Sequence, residues 1–461
     1  MTDHSVVLGA GIAGLLAATA LADAGHDVTI VERDRLCDSP SQRRGVPQGP
    51  HLHNLLSRGW QIIEDLAPGL IDDVITAGGL VLDDARIGAR MHIQTGPYTF
   101  NRTDPVADPA ALATYLGTRP LLECALRRRV TALPNVTIKD GHDVGELVAG
   151  QPDRITGVTI TDRRTAAVHT LEADLVIDAT GRATRTPLLL RQLGYEQPPQ
   201  QSFTVRGVYY SQQIAIPDHD EFAERLILVI PRGGAGRGGL AAGEHGIWTL
   251  TIAAHADQHP TPPTTLADML TLAEKFVPAH IHPILRRATA MSDVAVYHYP
   301  GGMWHRYDRC TRHPDGLLVI GDALCCLDPI HGQGITMAAR HVQVLRTYLR
   351  GQGSVDSQRF YRSLAHLVAP VWATNLPPGY ASDRSAKARA RRRAFQWGRR
   401  KILEAADDIV VTERLVRIVN MVDPPQRLLE PRLLARVAGH HLRNAVPPPT
   451  PRLRLRTKTH A

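Results

Sequence analysis

The stretch SVVLGAGIAGLLAATALADAG, residues 5–25, decides the fold of this chain. Its apolar start, 5–8, predicts a buried parallel strand, and the Ala- and Leu-rich part, 12–24, predicts a helix that ends at Gly25. The apolar run 28–31 predicts a second strand. Together these segments indicate the first βαβ unit of a doubly wound sheet.

The spacing of the glycines in this stretch suits a bound dinucleotide. Gly9 allows a tight turn, Gly11 lets the backbone approach a pyrophosphate, and Gly14 lets the helix pack closely on the strand. Glu32 lies 21 positions after Gly11 (32 − 11), which suits a carboxylate that binds the adenosine ribose. A glycine-rich turn without a ligand is the alternative interpretation.

Two later motifs indicate that the dinucleotide is FAD. LVIDATGR, 175–182, reads as a buried strand followed by a turn at Asp178 and Gly181, and GLLVIGDA, 316–323, reads as a strand that delivers Asp322. LDPIHGQGITM, 327–337, then leads into a predicted helix from about Gly332 to Arg350. A carboxylate at this position can accept from a ribityl hydroxyl, and the helix start can direct N–H groups at the isoalloxazine.

With these motifs the chain resembles the class A flavoprotein monooxygenases of the aromatic-hydroxylase fold. The likeness covers roughly the first 350 residues, and it is strongest to the bacterial polyketide epoxidases, including the polyene epoxidases of polyether-antibiotic pathways. The segments that carry it are GAGIAG, Glu32-Arg33, RRGVPQGPHLHNLL (43–56), Arg119, DATGR and GDALCCLDPIHGQG.

The resemblance implies a set of FAD contacts along the chain. It places Glu32 on the adenosine ribose, Arg44 and Arg119 near the pyrophosphate or ribityl chain, and the backbone of Val144, at the end of a predicted strand, on the adenine. Solvated surface positions are the alternative for the two arginines. The cofactor-binding set is Gly9, Gly11, Ala13, Gly14, Glu32, Arg33, Arg44, Gly45, Arg119, Val144, Asp178, Gly181, Asp322, Pro329, Gly332, Gly334 and Ile335.

The resemblance also implies an activity. One oxygen atom would pass from a flavin C4a-hydroperoxide to an alkene, by epoxidation, or to an aromatic ring of a large, mostly apolar secondary metabolite. A redox-neutral FAD-bound cyclase of a polyketide and a flavin-dependent reductase of a prenyl chain are the alternatives. The flavin halogenases carry a Trp-x-Trp-x-Ile-Pro segment that is absent here, which argues against halogenation.

The source of electrons is left open by the second motif. Family members that take hydride directly from NADPH usually carry Gly-Ala-Asp-Gly, whereas this chain reads Asp178-Ala-Thr-Gly181. The FAD is therefore expected to be reduced either directly by NAD(P)H or through a partner flavin reductase.

No acid-base pair stands out as catalytic, so the catalytic residues are unassigned. His51, His53 and His331 are candidates for the pocket, and histidines bonded to loop backbone are the alternative. Neither a metal site nor a disulfide framework is expected, since the five cysteines show no CxxC spacing.

The chain is expected to be an α/β protein with an FAD-binding lobe of Rossmann type interleaved with an antiparallel-sheet substrate lobe. The FAD lobe is predicted at 1–75, 105–194 and 295–350, and the substrate lobe at 76–104 and 195–294. A helical region at 351–445 and a disordered tail at 446–461 follow. Within the substrate lobe, the glycine-dense run 233–239 predicts a mobile loop.

The composition indicates the class of protein, its compartment and its partners. The 461 residues carry a formal net charge of +8 and 43% hydrophobic residues, as expected of a cytoplasmic globular protein without a transmembrane segment. Nine Lys or Arg and no acid occur in 384–401. This segment is a solvated helix face, a patch for an acidic carrier protein or membrane surface, or, last, a nucleic-acid site. The expected partners are a polyene, polyketide or phenol substrate and a reductase or carrier protein, without nucleic acid.

Overall fold

The computed structural model describes residues 2–151, 153–217, 219–231, 236–255, 257, 261–351, 356–377, 380 and 385–445. The predicted tail, 446–461, lies outside the described residues.

The strands follow one another along nearly the whole of the first 330 residues. In chain order they are β1 (His4–Leu8), β2 (Asp27–Val31), β3 (Leu80–Leu82), β4 (Met91–Thr95), β5 (Tyr98–Thr99), β6 (Thr114–Leu116), β7 (Val136–Lys139), β8 (His142–Gly150), β9 (Arg154–Asp162), β10 (Val168–Glu172), β11 (Leu175–Asp178), β12 (Gln200–Ala215), β13 (Leu226–Ile230), β14 (Arg237–Ala242), β15 (Ile247–His255), β16 (Thr289–Ala290), β17 (Ala295–His305), β18 (Leu317–Val319) and β19 (Cys325–Cys326).

The helices are interspersed with the strands and then take over the C-terminal part. They are α1 (Ile12–Asp23), α2 (Ser57–Leu66), α3 (Leu70–Thr76), α4 (Pro109–Leu112), α5 (Arg119–Thr131), α6 (Thr186–Gln192), α7 (Leu266–Ala273), α8 (His282–Leu285), α9 (Gly334–Leu349), α10 (Ser357–Asn375), α11 (Ala386–Glu404), α12 (Ile409–Val419) and α13 (Pro431–Ala445).

A parallel sheet of five strands, in the order β18-β11-β1-β2-β7, forms the centre of the predicted dinucleotide lobe. Val7 pairs with Ile177 on one side and with Ile30 on the other, and all three side chains are fully buried. Such continuous apolar runs are typical of parallel strands that are covered on both faces. The predicted α/β fold class is confirmed.

A second, larger sheet follows the order β19-β17-β12-β15-β14-β13-β4-β5, with β16 on the edge of β12. Two expectations about it need correction. It is mixed, since β13 pairs parallel with β4. It also includes β17 and β19, although 295–350 was assigned to the FAD lobe. The physical reason is that β12 has two edges, one of which pairs with β15 while the other is free to pair with β17.

The glycine-dense run 233–239 is only partly within the described residues, since 232–235 are not described. Its end is a strand and not a loop, because β14 begins at Arg237 and pairs with both β13 and β15. A Cβ on Gly238 would lie 2.3 Å from the Cβ of Phe276, and one on Gly239 would lie 3.0 Å from Leu52 Cδ1. The glycines therefore let other segments pack directly on this strand.

The described part of 351–445 consists mainly of the long helices α10 to α13, as predicted. The predicted helix of 332–350 is α9, which starts two residues later, at Gly334. Within the described residues, no helix combines the length and the apolar character that crossing a bilayer requires.

Candidate cofactor and substrate site

One cavity of ≈ 2840 Å³ lies between the carboxyl ends of the parallel strands, the start of α9 and the larger sheet. It brings together nearly all of the predicted site residues, although they are spread over more than 320 positions of the sequence. Gly14 does not line the cavity, because it packs against the turn, where a Cβ would lie 1.9 Å from the Gly9 oxygen. The predicted residues that line it are Gly9, Gly11, Ala13, Glu32, Arg33, Arg44, Gly45, His51, His53, Arg119, Val144, Asp178, Gly181, Asp322, Pro329, His331, Gly332, Gly334 and Ile335.

The turn between β1 and α1 opens into this cavity. Gly9 has φ +99°, and a Cβ there would lie 2.8 Å from the Ala179 oxygen, so only glycine fits. A Cβ on Gly11 would meet no atom within 4 Å. Gly11 is the N-cap of α1, and no side chain caps that helix. The first N–H groups of α1 therefore offer an anion site.

Glu32, at the end of β2, is held by backbone and by an arginine that the sequence analysis missed. Its Oε2 accepts from the Ala10 N–H at 2.8 Å and lies 2.7 Å from Arg43 Nη2. The Arg43 side chain is almost fully buried, whereas its neighbour Arg44 is exposed at the cavity. The two arginines are adjacent in sequence, and only the fold shows which of them turns inward.

Glu123, on α5, ties two of the arginines together. Its Oε2 lies 3.2 Å from Arg43 Nη1, and its Oε1 lies 2.9 Å from Arg119 Nε. Arg119 Nη1 also lies 3.5 Å from His53 Nε2. Because Glu123 is buried, both arginines are fixed in place beside the cavity.

Asp178, predicted to bind the cofactor, lines the cavity, but protein groups donate to both oxygens of its carboxylate. Its Oδ1 accepts from the Thr180 N–H at 2.8 Å and from the Thr180 hydroxyl at 2.6 Å. Its Oδ2 accepts from the hydroxyls of Thr184 at 2.5 Å and Thr186 at 2.7 Å. Since a carboxylate has about four lone-pair sites, Asp178 is fully occupied. It shapes the turn that presents Gly181 and has no acceptor left for a ligand.

Asp322 differs from Asp178, since no donor among the described residues reaches its carboxylate. The turn that carries it is held from behind by His341, whose Nδ1 accepts from the Gly321 N–H at 3.1 Å. Burial raises the pKa of Asp322, while Arg119 and Arg182 act in the opposite direction. The cavity thus contains a carboxylate acceptor for which the described protein supplies no hydrogen bond.

The start of α9 lies at the same cavity. Asp328 Oδ1 accepts from the Ile330 N–H and from the Tyr209 hydroxyl, each at 3.0 Å, which fixes the loop before the helix. Gly332 has φ +63°, and no side chain caps the N-terminus of α9 at Gln333. A Cβ on Gly334 would meet no atom within 4 Å, so this helix start also faces open space.

An aromatic cluster that the sequence analysis did not predict forms the sheet side of the cavity. The ring of His51 lies 6.3 Å from that of Tyr209 and 5.8 Å from that of Tyr297. His51 Nδ1 hydrogen-bonds Ser211 Oγ at 2.7 Å, while its buried Nε2 has no partner among the described residues. Alternation along β12 and β17 was the available signal, since Tyr209 and Tyr297 pair across these strands.

Three histidines of the cavity, His51, His53 and His331, have lowered pKa values, which favours the neutral imidazole. Burial lowers the pKa of His51 to about 4, and burial together with the Arg119 charge lowers that of His53 to about 3. Burial also lowers the pKa of His331.

Val144 lies inside a strand. Val144 is the third residue of β8, which continues to Gly150, and not the end of a strand, because β8 pairs along β9. In the described part of the chain, no group of three or more His, Cys, Asp or Glu side chains could hold a metal ion. The five cysteines are free.

Comparison with known families shows to which family the chain belongs. The family described as FAD dependent oxidoreductase (DAO) matches residues 4–343. The chain belongs to this family. FAD as the cofactor and oxidoreductase as the enzyme class are thereby confirmed for this flavoprotein.

One relative is similar to this oxidoreductase over nearly its whole length. Protein Rv3254 of Mycobacterium tuberculosis is 33% identical over 461 residues, which cover 96% of this chain and 94% of the relative.

Solved flavoproteins share the fold of this oxidoreductase. A flavoprotein/dehydrogenase from Cytophaga hutchinsonii has a TM-score of 0.64 at 15% identity, covering 96% of this chain and 100% of the other. p-Nitrophenol 4-monooxygenase PnpA from Pseudomonas putida has a TM-score of 0.61 at 16% identity, covering 91% and 98%. The flavin-dependent brominase Bmp2 has a TM-score of 0.60 at 15% identity, covering 96% and 100%. At these identities the likeness concerns the fold alone.

Proposed function

We propose that this oxidoreductase is an FAD-dependent monooxygenase. It inserts one oxygen atom from O₂ into a large, mostly apolar secondary metabolite, by epoxidation of an alkene or hydroxylation of an aromatic ring. Proteins of the same fold include a p-nitrophenol monooxygenase and a brominase, which supports oxygen-dependent flavin chemistry as a use of this scaffold.

The residues of the cavity fit FAD. The open N-terminus of α1 suits the pyrophosphate, with Arg44 and Arg119 nearby, and Glu32 suits the adenosine ribose. Asp322 accepts no hydrogen bond from the described residues and suits a ribityl hydroxyl. Val144 would meet the adenine through its backbone, and the ring would rest against Gly45, Gly332, Gly334 and Ile335. Arg33 and Pro329 complete this set.

The open start of α9 is the observation that carries the proposal. The positive end of a helix stabilises negative charge, and the pyrimidine edge of a flavin becomes negative when the ring is reduced. A pocket that only shaped a cyclisation would gain nothing from this charge. When bound, FAD supplies the oxygen-transfer chemistry, and the protein orients the substrate and excludes water.

The size of the cavity supports a large substrate. Pockets for drug-sized ligands span about 300–1,000 Å³, whereas this cavity measures ≈ 2840 Å³ and must also hold FAD. Apolar side chains of the larger sheet and of α11 and α12 line it, among them Ile93, Leu228, Ile230, Phe395 and Val416. We therefore propose a polyene or polyketide as the substrate, with a phenol as the alternative.

The protonation of the histidines favours an alkene over a phenol. A phenol is normally activated by a base, and a base works best when its pKa lies near the working pH. The pKa of His51 is lowered to about 4 and that of His53 to about 3, so both are weak bases. An alkene needs no proton removed, and epoxidation therefore suits this site better.

The test is to supply O₂ as ¹⁸O₂ to the holoenzyme with reduced FAD and a probe, either an isoprenoid polyene or a monohydric phenol. The expected product gains one labelled oxygen atom, and oxidised FAD without O₂ gives no product. An isomer of unchanged mass formed anaerobically would show a cyclase. A product that gains two hydrogens and no oxygen would show a reductase.

A further inference from the structure

Two arginines of the cavity have no role in the proposed FAD site. Arg58 lies in the first turn of α2 and Arg340 lies in the second turn of α9. Both are half-buried, and both line the cavity. The two helices pack directly on each other, since a Cβ on Gly59 of α2 would lie 2.5 Å from Thr336 Oγ1 of α9.

These arginines lack acidic partners. Arg58 Nη1 donates to Gln61 Oε1 at 3.2 Å, and the Arg340 side chain makes no hydrogen bond or ion pair with a described residue. Asp423, which also lines the cavity, is already paired with Arg414 and Arg417. Burial and the charge of Arg58 lower the pKa of Arg340, and no carboxylate acts in the opposite direction.

The local helix adds to the positive charge. The first turn of α2 carries no acidic residue, although an acid is the residue that a helix N-terminus favours. Instead it carries Arg58. Two half-buried like charges without a counter-ion are costly to the fold, which is explained if an anion from outside the chain completes the cluster.

We propose that Arg58 and Arg340 form a binding site for the phosphate group of a small molecule other than FAD. Two guanidinium groups match a dianion, and a phosphate carries about −1.5 to −2 charges at neutral pH. A single carboxylate would balance only one of them. Arginine also presents paired N–H groups that suit phosphate oxygens.

The phosphate could come from two kinds of molecule, a reduced nicotinamide dinucleotide with a 2′-phosphate or a substrate held as a thioester of coenzyme A, which carries a 3′-phosphate. NADPH and NADH differ by that one 2′-phosphate, and coenzyme A itself carries the 3′-phosphate. These three compounds separate the sources, and inorganic phosphate tests the site itself.

The experiment measures the Tm of the holoenzyme in phosphate and in chloride at equal pH and ionic strength, so that FAD already occupies its own site. Phosphate should raise the Tm of the wild type. Arg58→Gln and Arg340→Gln should each lose most of this rise, with phosphate binding weakened roughly tenfold or more. Arg350→Gln is the matched control, because Arg350 is exposed at the end of the same helix and should keep the full rise.

A second measurement, the Tm without phosphate, should change in the opposite direction. Without phosphate, Arg340→Gln should melt at or above the wild-type Tm, because it relieves the repulsion from Arg58. A rise with NADPH and none with NADH assigns the phosphate to the electron donor, and a rise with coenzyme A assigns it to a carried substrate.

Several outcomes would overturn the proposal. The first is a phosphate-dependent rise in Tm that is as large in both variants as in the wild type. The others are no rise in the Tm of the wild type, or loss of FAD from the variants. An effect of inorganic phosphate with none from NADPH or coenzyme A would also do so, since the ion would then be adventitious. These Tm measurements do not involve oxygen transfer, so the result is independent of the proposed monooxygenase activity.

Discussion

Asp322 lies at the cavity without a donor from the described protein, and we therefore expect it to hold FAD. Asp322→Ala should weaken FAD binding by roughly 1.5–3 kcal/mol, because a hydroxyl of the ligand would lose a charged acceptor. The flavin absorbance that remains after desalting measures this. Asp293→Ala, on the exposed surface, is the control. Full retention of FAD by the Asp322 variant would show that Asp322 does not bind FAD.

His51 should make the protein sensitive to acid. Its pKa is lowered from 6.5 to about 4 by burial, so between these values the unfolded chain binds a proton that the folded protein does not. Stability therefore falls as the pH drops through this window, by up to about 1.4 kcal/mol per pH unit. His51→Gln does not titrate, and its Tm should depend less on pH between 6.5 and 4.

The control for this prediction is His169→Gln, which changes an exposed histidine and should leave the pH dependence of the Tm as it is. If the curves of Tm against pH ran parallel for the wild type and His51→Gln, the buried histidine would not contribute.

Single residues also mark where the sequence stops being informative. Arg43 and Arg44 are neighbours of the same type, and only the positions of Glu32 and Glu123 make Arg43 the buried one. Asp178 follows its strand as a ligand-binding acid would, but three threonines nearby in sequence occupy its oxygens. Such choices depend on long-range packing or on side-chain geometry that spacing does not encode.

At the scale of secondary-structure elements, sequence patterns correctly predicted the strands and helices that depend on neighbouring residues. The predicted strand 5–8 and helix 12–24 correspond to β1 and α1 within one residue, because apolar runs and glycines mark both ends. The pairing of β17 with β12 was not predicted, since it joins strands about 80 residues apart. The strand β14 was missed because its glycines serve contacts with distant side chains.

The glycines at the two helix starts should respond differently to alanine. A Cβ on Gly334 meets only open space in the protein, so Gly334→Ala should keep the Tm of the FAD-free protein. It should nevertheless weaken FAD binding by about 1–3 kcal/mol through contact with the ring. Gly14→Ala should instead destabilise the fold by about 3 kcal/mol or more, because its Cβ would overlap the Gly9 oxygen at 1.9 Å.

Thermal melting of the apo forms and FAD titration check both parts of this prediction. Gly439→Ala, in α13, is the control for adding a methyl group to a helical glycine, since its nearest neighbour is the end of the Arg443 side chain at 3.5 Å. If Gly334→Ala bound FAD as tightly as the wild type, the flavin ring would not lie against the start of α9.

At the scale of the whole molecule, the departure at Asp178-Ala-Thr-Gly181 concerns how electrons enter. We expect NADPH alone to reduce the bound FAD slowly and a flavin reductase to accelerate the reduction. Stopped-flow absorbance under argon, with and without the reductase, measures both rates. Fast bleaching by NADPH in the presence of substrate would contradict this expectation and show that the threonine does not prevent direct hydride transfer.

The five strands of the parallel sheet are spread along the chain from His4 to Val319. During synthesis, β1 and β2 leave the ribosome early, but β18, Asp322 and the start of α9 are made after about two thirds of the protein. Contacts over such distances form slowly, and partly folded chains expose apolar strands in the meantime. The FAD site is therefore among the last regions to be completed, and flavin capture belongs to the final stage of maturation in the cell.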